Sequence, residues 1–434
     1  MQTICVWAEH LEGFVLAGSL SFGPKDGERF TYDASYLERG GSVPVYPVLP
    51  LQEEPHSAQS TRAAFSSLGP EGPVGHDIRV ALRAGRDAIV PVLSRLNHET
   101  TGALTFTEER ELVQVDTASP MPVDSAFLEQ FAINPNRTAF KAMLDSRLSL
   151  NGAVSKVGAI RRDGAWLLPR GLEPSTHILK AGSPAYADQM LNEALCMRCA
   201  LACGFEDAAK TDLIAIDGCD PILVSKRFDR LLGAERPKGL NDVMRLHQAD
   251  LCQVLGISVD ALKYTPSDEL IDGYTTSVAA AISEESSERY GDRSYVFDIQ
   301  VFDYLVGNCD NHLKNLSLTW SPDWQGKTVS PIYDVTCTTV YRDLSRDMGM
   351  GIGLHRAIDD VEPADFPLMA RQLGVSWRQA RESISAMADA VVPALMESAH
   401  QLEVECGVAA ESVAEGLAQD CAGRVEVARR AALL

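Results

Sequence analysis

Residues 294–307 read SYVFDIQVFDYLVG, and this run constrains the architecture more than any other part of the chain. Phe297, Val301, Tyr304 and Leu305 recur at helical intervals, so one face must be buried, and Gly307 supplies a helix stop. The next residues are opposite in character. GNCDNHLKN, 307–315, puts Asp310, His312, Lys314 and Asn315 at the end of that buried element, a crowd that is costly to bury unless it binds something. LSLTW then alternates like a strand, SPDWQGK turns and VSPIYD returns. The pattern predicts Asp334 at the end of a hairpin beside Asn315.

The rest of the chain divides around this region. At 434 residues it is long enough for two or three compact units. Short apolar runs broken by turn residues (FVLAGSLSF, PVYPVLPLQ, TGALTFT) predict a β-rich unit with a helix or two over 1–112, with the polar stretch LQEEPHSAQSTR, 51–62, as a surface loop. From residue 146 SRLSLNGAVSKVGAIRR, AWLLP and STHILK read as consecutive antiparallel strands. Ser183-Pro184 predicts the start of a helix that runs through Glu193 to a stop at Gly204. TDLIAID and PILVSKRFD flank a turn at Gly218 as two further strands, closing a second unit, 113–230. Residues 231–434 form the third, mostly helical and ending in amphipathic helices from 358 onward.

Composition excludes some functions. With 39 basic and 60 acidic residues the formal charge is −21, which opposes direct contact with a phosphate backbone, and no Lys/Arg run offsets it. There is no signal-peptide pattern and no apolar stretch of about 20 residues, the length needed to span a bilayer, so a cytoplasmic location is expected. Seven of the ten cysteines stand alone, which suits a reducing compartment. Cys196, Cys199 and Cys203 allow two readings, a metal half-site or one buried helix face; without a second Cys/His pair nearby, the buried face is expected.

Three features call for one explanation: a small-residue turn with a lysine, NGAVSK; Lys180 closing the next strand; and an acidic pair, Asp310 and Asp334. Phosphoryl transfer uses all three, as backbone donors over the phosphates, a lysine on them, and carboxylate and amide ligands for Mg²⁺. Asp310 to Asn315 has the D-x-x-x-x-N spacing of a protein-kinase catalytic loop.

SLNGAVSK, THILK, LNEAL, SKRFDR, RLHQADLCQVLG, QVFDYLVGNCDNHLKNLSL and PIYDV, in this order, make the chain resemble the HipA-type serine/threonine protein kinases, toxins of HipBA-like toxin–antitoxin pairs. The resemblance implies an α+β, two-lobed protein-kinase-like fold (HipA/PI-kinase-like) with a β-rich amino-terminal subdomain, a nucleotide-binding lobe and an all-helical carboxy-terminal lobe. It also implies Mg²⁺-ATP-dependent phosphorylation of a protein, an aminoacyl-tRNA synthetase, so that translation stalls. Asp310 would be the catalytic base. Asn315 and Asp334 would bind Mg²⁺, and Lys180, His312, Lys314 and Tyr333 would lie at the nucleotide. The loop Asn151, Gly152, Ala153, Val154, Ser155 and Lys156 would cover it, and Lys226, Arg227 and Phe228 would contact adenine through their backbone. Ser149 would be the autophosphorylated residue, with Ser155 as a second candidate, and Glu193 an ion-pair partner for Lys180. A HipB-like helix-turn-helix antitoxin would restrain the kinase and mediate contact with operator DNA, since DDVEPAD stands at 359–365 where some relatives carry a basic surface.

Two other classes remain open on the sequence. One is a catalytically silent subunit bridging antitoxin and operator. The other is a metal-dependent phosphoester hydrolase using Asp310, His312 and Asp334, against which the neutral amide of Asn315 and the paired lysines argue.

Overall fold

A computed structural model describes residues 2–434 apart from 24–26, 86–87, 97–99, 113–118, 148–149, 151, 153, 239 and 258–273. The chain forms two compact units. Residues 1–181, 226–261 and 319–327 make the first, and 182–225, 262–318 and 328–434 the second.

The first unit opens with an antiparallel sheet in the order Gly27–Tyr32, Gly13–Gly23, Gln2–His10, Leu104–Thr107. Ile4, Val6 and Ala8 alternate onto one face with Leu20 and Phe30 and are fully buried. The helices Ala58–Phe65 and Val90–Arg95 cover that face, with the Phe65 and Phe30 rings 5.4 Å apart. PVYPVLPLQ, read from sequence as strand-like, forms no strand. Pro44, Pro47 and Pro50 remove the N–H groups a ladder needs, although Val45, Tyr46 and Leu49 are buried as a strand's inner residues would be. The polar stretch after it is only partly a loop, because Ser57 caps the helix from Ala58 by accepting from Ser60 N at 3.0 Å.

Farther along this unit, the strand Ser155–Arg162 pairs antiparallel with Ala165–Leu168 on one side and His177–Ala181 on the other. Among the described residues, the expected strand character from residue 146 begins at Ser155. Pro135 starts a helix, Pro135–Ser146, that takes up Ser146, the first residue of that stretch.

A buried polar core ties distant parts of this unit together. Glu9 bonds the Arg236 guanidinium at 2.6 Å and that of Arg245 at 2.9 Å, and its carbonyl accepts from Trp324 Nε1 at 2.9 Å. Trp324 is stacked between His10 and His247, ring centroids 4.9 and 4.5 Å away. Burial lowers His10 to about 4 and His247 to about 3. Both rings are neutral in the folded chain near pH 7, whereas an unfolded histidine takes a proton below about pH 6.5. Stability from this pair is thus fully present above that value and is lost as pH falls toward 4 and 3. The expected slope approaches 1.4 kcal/mol per pH unit for each ring inside that window. Urea denaturation at pH 7 and pH 5 measures it.

In the second unit the helix Gln189–Ala202 packs against the long helix Trp377–Cys406 and the hairpin strand Thr211–Ile214, whose antiparallel partner is Ile222–Lys226. Its start differs from expectation. Asp188 is left-handed (φ 56) and the Gln189 side chain accepts from Ser183 N at 2.9 Å, so Ser183-Pro184 belongs to a separate turn. Cys196 and Cys199 are fully buried on its inner face; burial raises the Cys196 thiol well above its ordinary range, and the hydrogen bond with the Cys203 thiol, together with burial, does the same for Cys199. The amphipathic tail folds as Asp365–Leu373, Trp377–Cys406 and Glu411–Ala432. A short antiparallel pair, Asp347–Ile352 with His355–Ala357, is added to this mainly helical unit.

Candidate active site

The helix predicted from SYVFDIQVFDYLVG runs from Arg289 to Val306 and stops at Gly307, whose φ of 81° is the left-handed cap conformation. Two asparagines then shape the loop. Asn308 Nδ2 donates to Asp303 Oδ1 at 2.8 Å, and Asn308 Oδ1 accepts from Asp310 N at 3.1 Å. Asn311 Oδ1 accepts from Met350 N at 3.2 Å. The strand carrying Met350 lies so close that a Cβ on Gly349 would stand 2.7 Å from His312 N.

On this scaffold Asp310 is presented outward, its side chain 53% exposed, while His312 Nε2 stands 3.9 Å from its carboxylate and is nearly buried. Asn315 Nδ2 donates to the Asp310 carbonyl at 2.8 Å. That bond uses the amide nitrogen and leaves the Asn315 carbonyl oxygen as the side-chain atom that could ligate a cation. Tyr333 Oη donates to Lys314 O at 2.8 Å and lies 2.6 Å from Ser317 Oγ. Asp334 follows in the left-handed region, φ 60°. A non-glycine residue there costs of order 1 kcal/mol, and such backbone clusters at functional sites. Asn315, Tyr333 and Val335 line one cleft with Asp303, Asn311 and Gln300. The hairpin expectation thus brings the Asp334 segment to Asn315.

The other predicted residues divide between the units. Lys156 and Lys180 face each other in register on paired strands, 7% and 5% exposed. Gly152, φ 104°, passes so near Lys156 Nζ that a Cβ there would collide with it. Val154 is half-buried, and Ser155 is buried and donates to Asn136 Oδ1 at 2.5 Å. Lys226 is exposed and Phe228 half-buried. Arg227 gives its amide to Thr176 O at 3.0 Å and its guanidinium to Asp229 at 2.7 Å and Ser175 Oγ at 3.1 Å, so that amide is committed within the protein. These residues and Lys180 lie in the first unit. Asp310, His312, Lys314, Asn315, Tyr333, Asp334 and the buried Glu193 lie in the second. Ser149, Asn151 and Ala153 fall outside the described residues.

Sequence reasoning missed Asp303, Asn308, Asn311 and Gln300. Asp303 is buried, and desolvation raises its carboxyl to about 7 against the opposing hydrogen bonds from Asn308 and Asn311. An aspartate in the middle of the apolar run was the available signal. Burial pushes the neighbouring thiols of Cys309 and Cys337 to about 11 and about 12, which keeps them protonated and unreactive.

Residues 10–107 match the HipA N-terminal domain and residues 148–395 the HipA-like C-terminal domain. The protein Y4mE of Sinorhizobium fredii is 31% identical over 372 residues, 84% of this chain and 85% of that one. The chain belongs to the HipA family. Among its HipA relatives, the serine/threonine-protein kinase toxin HipA of Shewanella oneidensis is 25% identical over 78% of this chain and 77% of its own. A solved complex of Shewanella oneidensis HipA, HipB and operator DNA contains a chain with a TM-score of 0.80 at 20% identity, covering 99% of both. The fold is therefore the two-lobed α+β HipA kinase fold.

The last helix lies beyond the HipA-like C-terminal match, yet it braces the site. Arg424 Nε donates to Leu305 O at 3.2 Å. Asp420 Oδ2 accepts from Arg424 at 2.5 Å and from Thr339 Oγ1 at 2.5 Å. The Gly307 carbonyl accepts from Thr338 N at 2.9 Å. A Cβ on Gly307 would collide with Thr339 Oγ1 and the Arg424 guanidinium. Gly307→Ala is expected to cost about 1–2 kcal/mol from the left-handed backbone alone and more from the collision, visible as a lowered melting temperature.

Proposed function

We propose that this HipA-family chain is a Mg²⁺- and ATP-dependent serine/threonine protein kinase acting as the toxin of a toxin–antitoxin pair. The observation that carries the reading is the outward-facing Asp310, its backbone held from both sides by the Asn308 and Asn315 side chains. The Asp310 carboxylate takes the proton from the acceptor hydroxyl as its oxygen bonds to the γ-phosphorus and the bond to ADP breaks. Lys180 and Lys156 offset phosphate charge, helped by His312 and Lys314, and Glu193 orients Lys180. The loop of residues 151–156 covers the nucleotide, while Lys226, Arg227 and Phe228 lie along its adenine. Asn315, through its carbonyl oxygen, and Asp334 hold the cation, and the neutral amide with one carboxylate suits an oxygen-liganded Mg²⁺. When bound, Mg²⁺ neutralises charge on the β- and γ-phosphoryl oxygens.

The relative named HipA supports the toxin role. The partner is a HipB-like antitoxin, in keeping with the HipA–HipB–operator complex of the structural relative, and the net charge of −21 favours reaching DNA through that antitoxin. The substrate is an aminoacyl-tRNA synthetase, and phosphorylation of Ser149 silences the kinase; Ser155 already donates its hydroxyl to Asn136. The test is incubation of the purified chain with γ-labelled ATP, Mg²⁺ and a lysate. Label is expected on the chain and on a synthetase. A chain that binds ATP yet labels neither itself nor any lysate protein overturns the reading, and ATP hydrolysis without a phosphoprotein would favour a hydrolase.

A further inference from the structure

Gln300 lies three residues before Asp303 on the same face of the helix Arg289–Val306. It is 1% exposed, and neither Nε2 nor Oε1 has a hydrogen-bond partner among the described residues. Buried carboxamides are normally satisfied, so an orphaned one requires an explanation. Gln300 lines the cleft shared by Asp303, Asn311, Asn315 and Tyr333.

The chemistry of the lining bears on the occupant. Asp303 and Gln300 each present a side-chain oxygen to the cleft, beside the carboxamides of Asn311 and Asn315. A water molecule bound to a cation presents only donor hydrogens, and Mg²⁺ usually keeps several of its waters. We propose that Gln300 is a positioning residue for the divalent cation: its Oε1, with the Asp303 carboxyl, accepts hydrogen bonds from waters on the cation that Asn315 and Asp334 hold. This rests on the kinase reading of those two residues.

The test is Mn²⁺ binding to the full chain, followed by electron paramagnetic resonance with a non-hydrolysable ATP analogue. Gln300→Leu is expected to weaken Mn²⁺ binding about tenfold, the usual cost of losing an outer hydrogen bond to a metal site. Nucleotide affinity in EDTA should be unchanged, and the melting temperature unchanged or higher, because an unpartnered amide is gone. Gln300→Met, closer in shape to glutamine, should behave likewise and replaces the leucine variant if that one unfolds. Mn²⁺ affinity unchanged in the folded variant overturns the proposal, even if the melting temperature moves. Asp334→Ala separates the two claims. Wild-type binding that is absent, or indifferent to Asp334→Ala, removes the kinase reading and this proposal with it. Binding that needs Asp334 but not Gln300 removes the proposal alone.

Discussion

Asp310→Asn is expected to lower the rate of phosphoryl transfer roughly 10²- to 10⁴-fold, the usual contribution of a positioned general base. Stability should stay within about 0.5 kcal/mol of the wild type, as for other exposed substitutions. The structural reason is the separation of scaffold from chemistry in this loop. The bonds that hold it use the Asp310 amide and carbonyl, whereas the carboxylate is exposed and stands 3.9 Å from His312. Initial rates with saturating Mg²⁺-ATP, beside a thermal melt, make the measurement. A variant that transfers phosphate at the wild-type rate would assign the proton to another group.

The largest stability effect is expected at the other end of the chain. Glu9→Ala should destabilise the first unit by about 3–5 kcal/mol, because it removes the carboxylate shared by two buried guanidinium groups, those of Arg236 and Arg245, which would keep only backbone carbonyl acceptors such as His10 O and Leu172 O. Glu9→Gln, which keeps the volume and one acceptor, should cost less. Trp7, Trp166, Trp320 and Trp324 lie in this unit and only Trp377 in the other, so tryptophan fluorescence in a urea titration reports mainly on the affected transition. Equal unfolding midpoints for wild type and Glu9→Ala would mean that water enters and solvates the arginines.

What the sequence made legible was local. The helix ending at Gly307 and the turn that carries Asp310 to Asn315 are written in residues adjacent along the chain, and the amphipathic tail follows from its periodicity. PVYPVLPLQ misled because apolar content signals burial without specifying a ladder, and its prolines removed the donors. The supporting asparagines were illegible for a different reason. Asn308 and Asn311 look like ordinary loop residues until Asp303 and Met350 are known to lie beside them. Gln300 reads as one more helical position, since nothing in a linear pattern shows that a buried amide has been left without a partner. Charge was similarly opaque. Asp359, counted as part of an acidic stretch, forms a two-point ion pair with Arg346, and Asp365 accepts from the backbone of Leu354 and Glu362.

The helix Glu411–Ala432 also bears on how the protein can be shortened. A chain trimmed to the recognisable family segment, or cut anywhere before Asp420, would lose the side chains that hold Leu305 and Thr339. The loop bearing Asp310 would keep every one of its own residues and lose its outer wall. Loss of activity in such a truncation would therefore say nothing about whether catalytic residues lie in the tail.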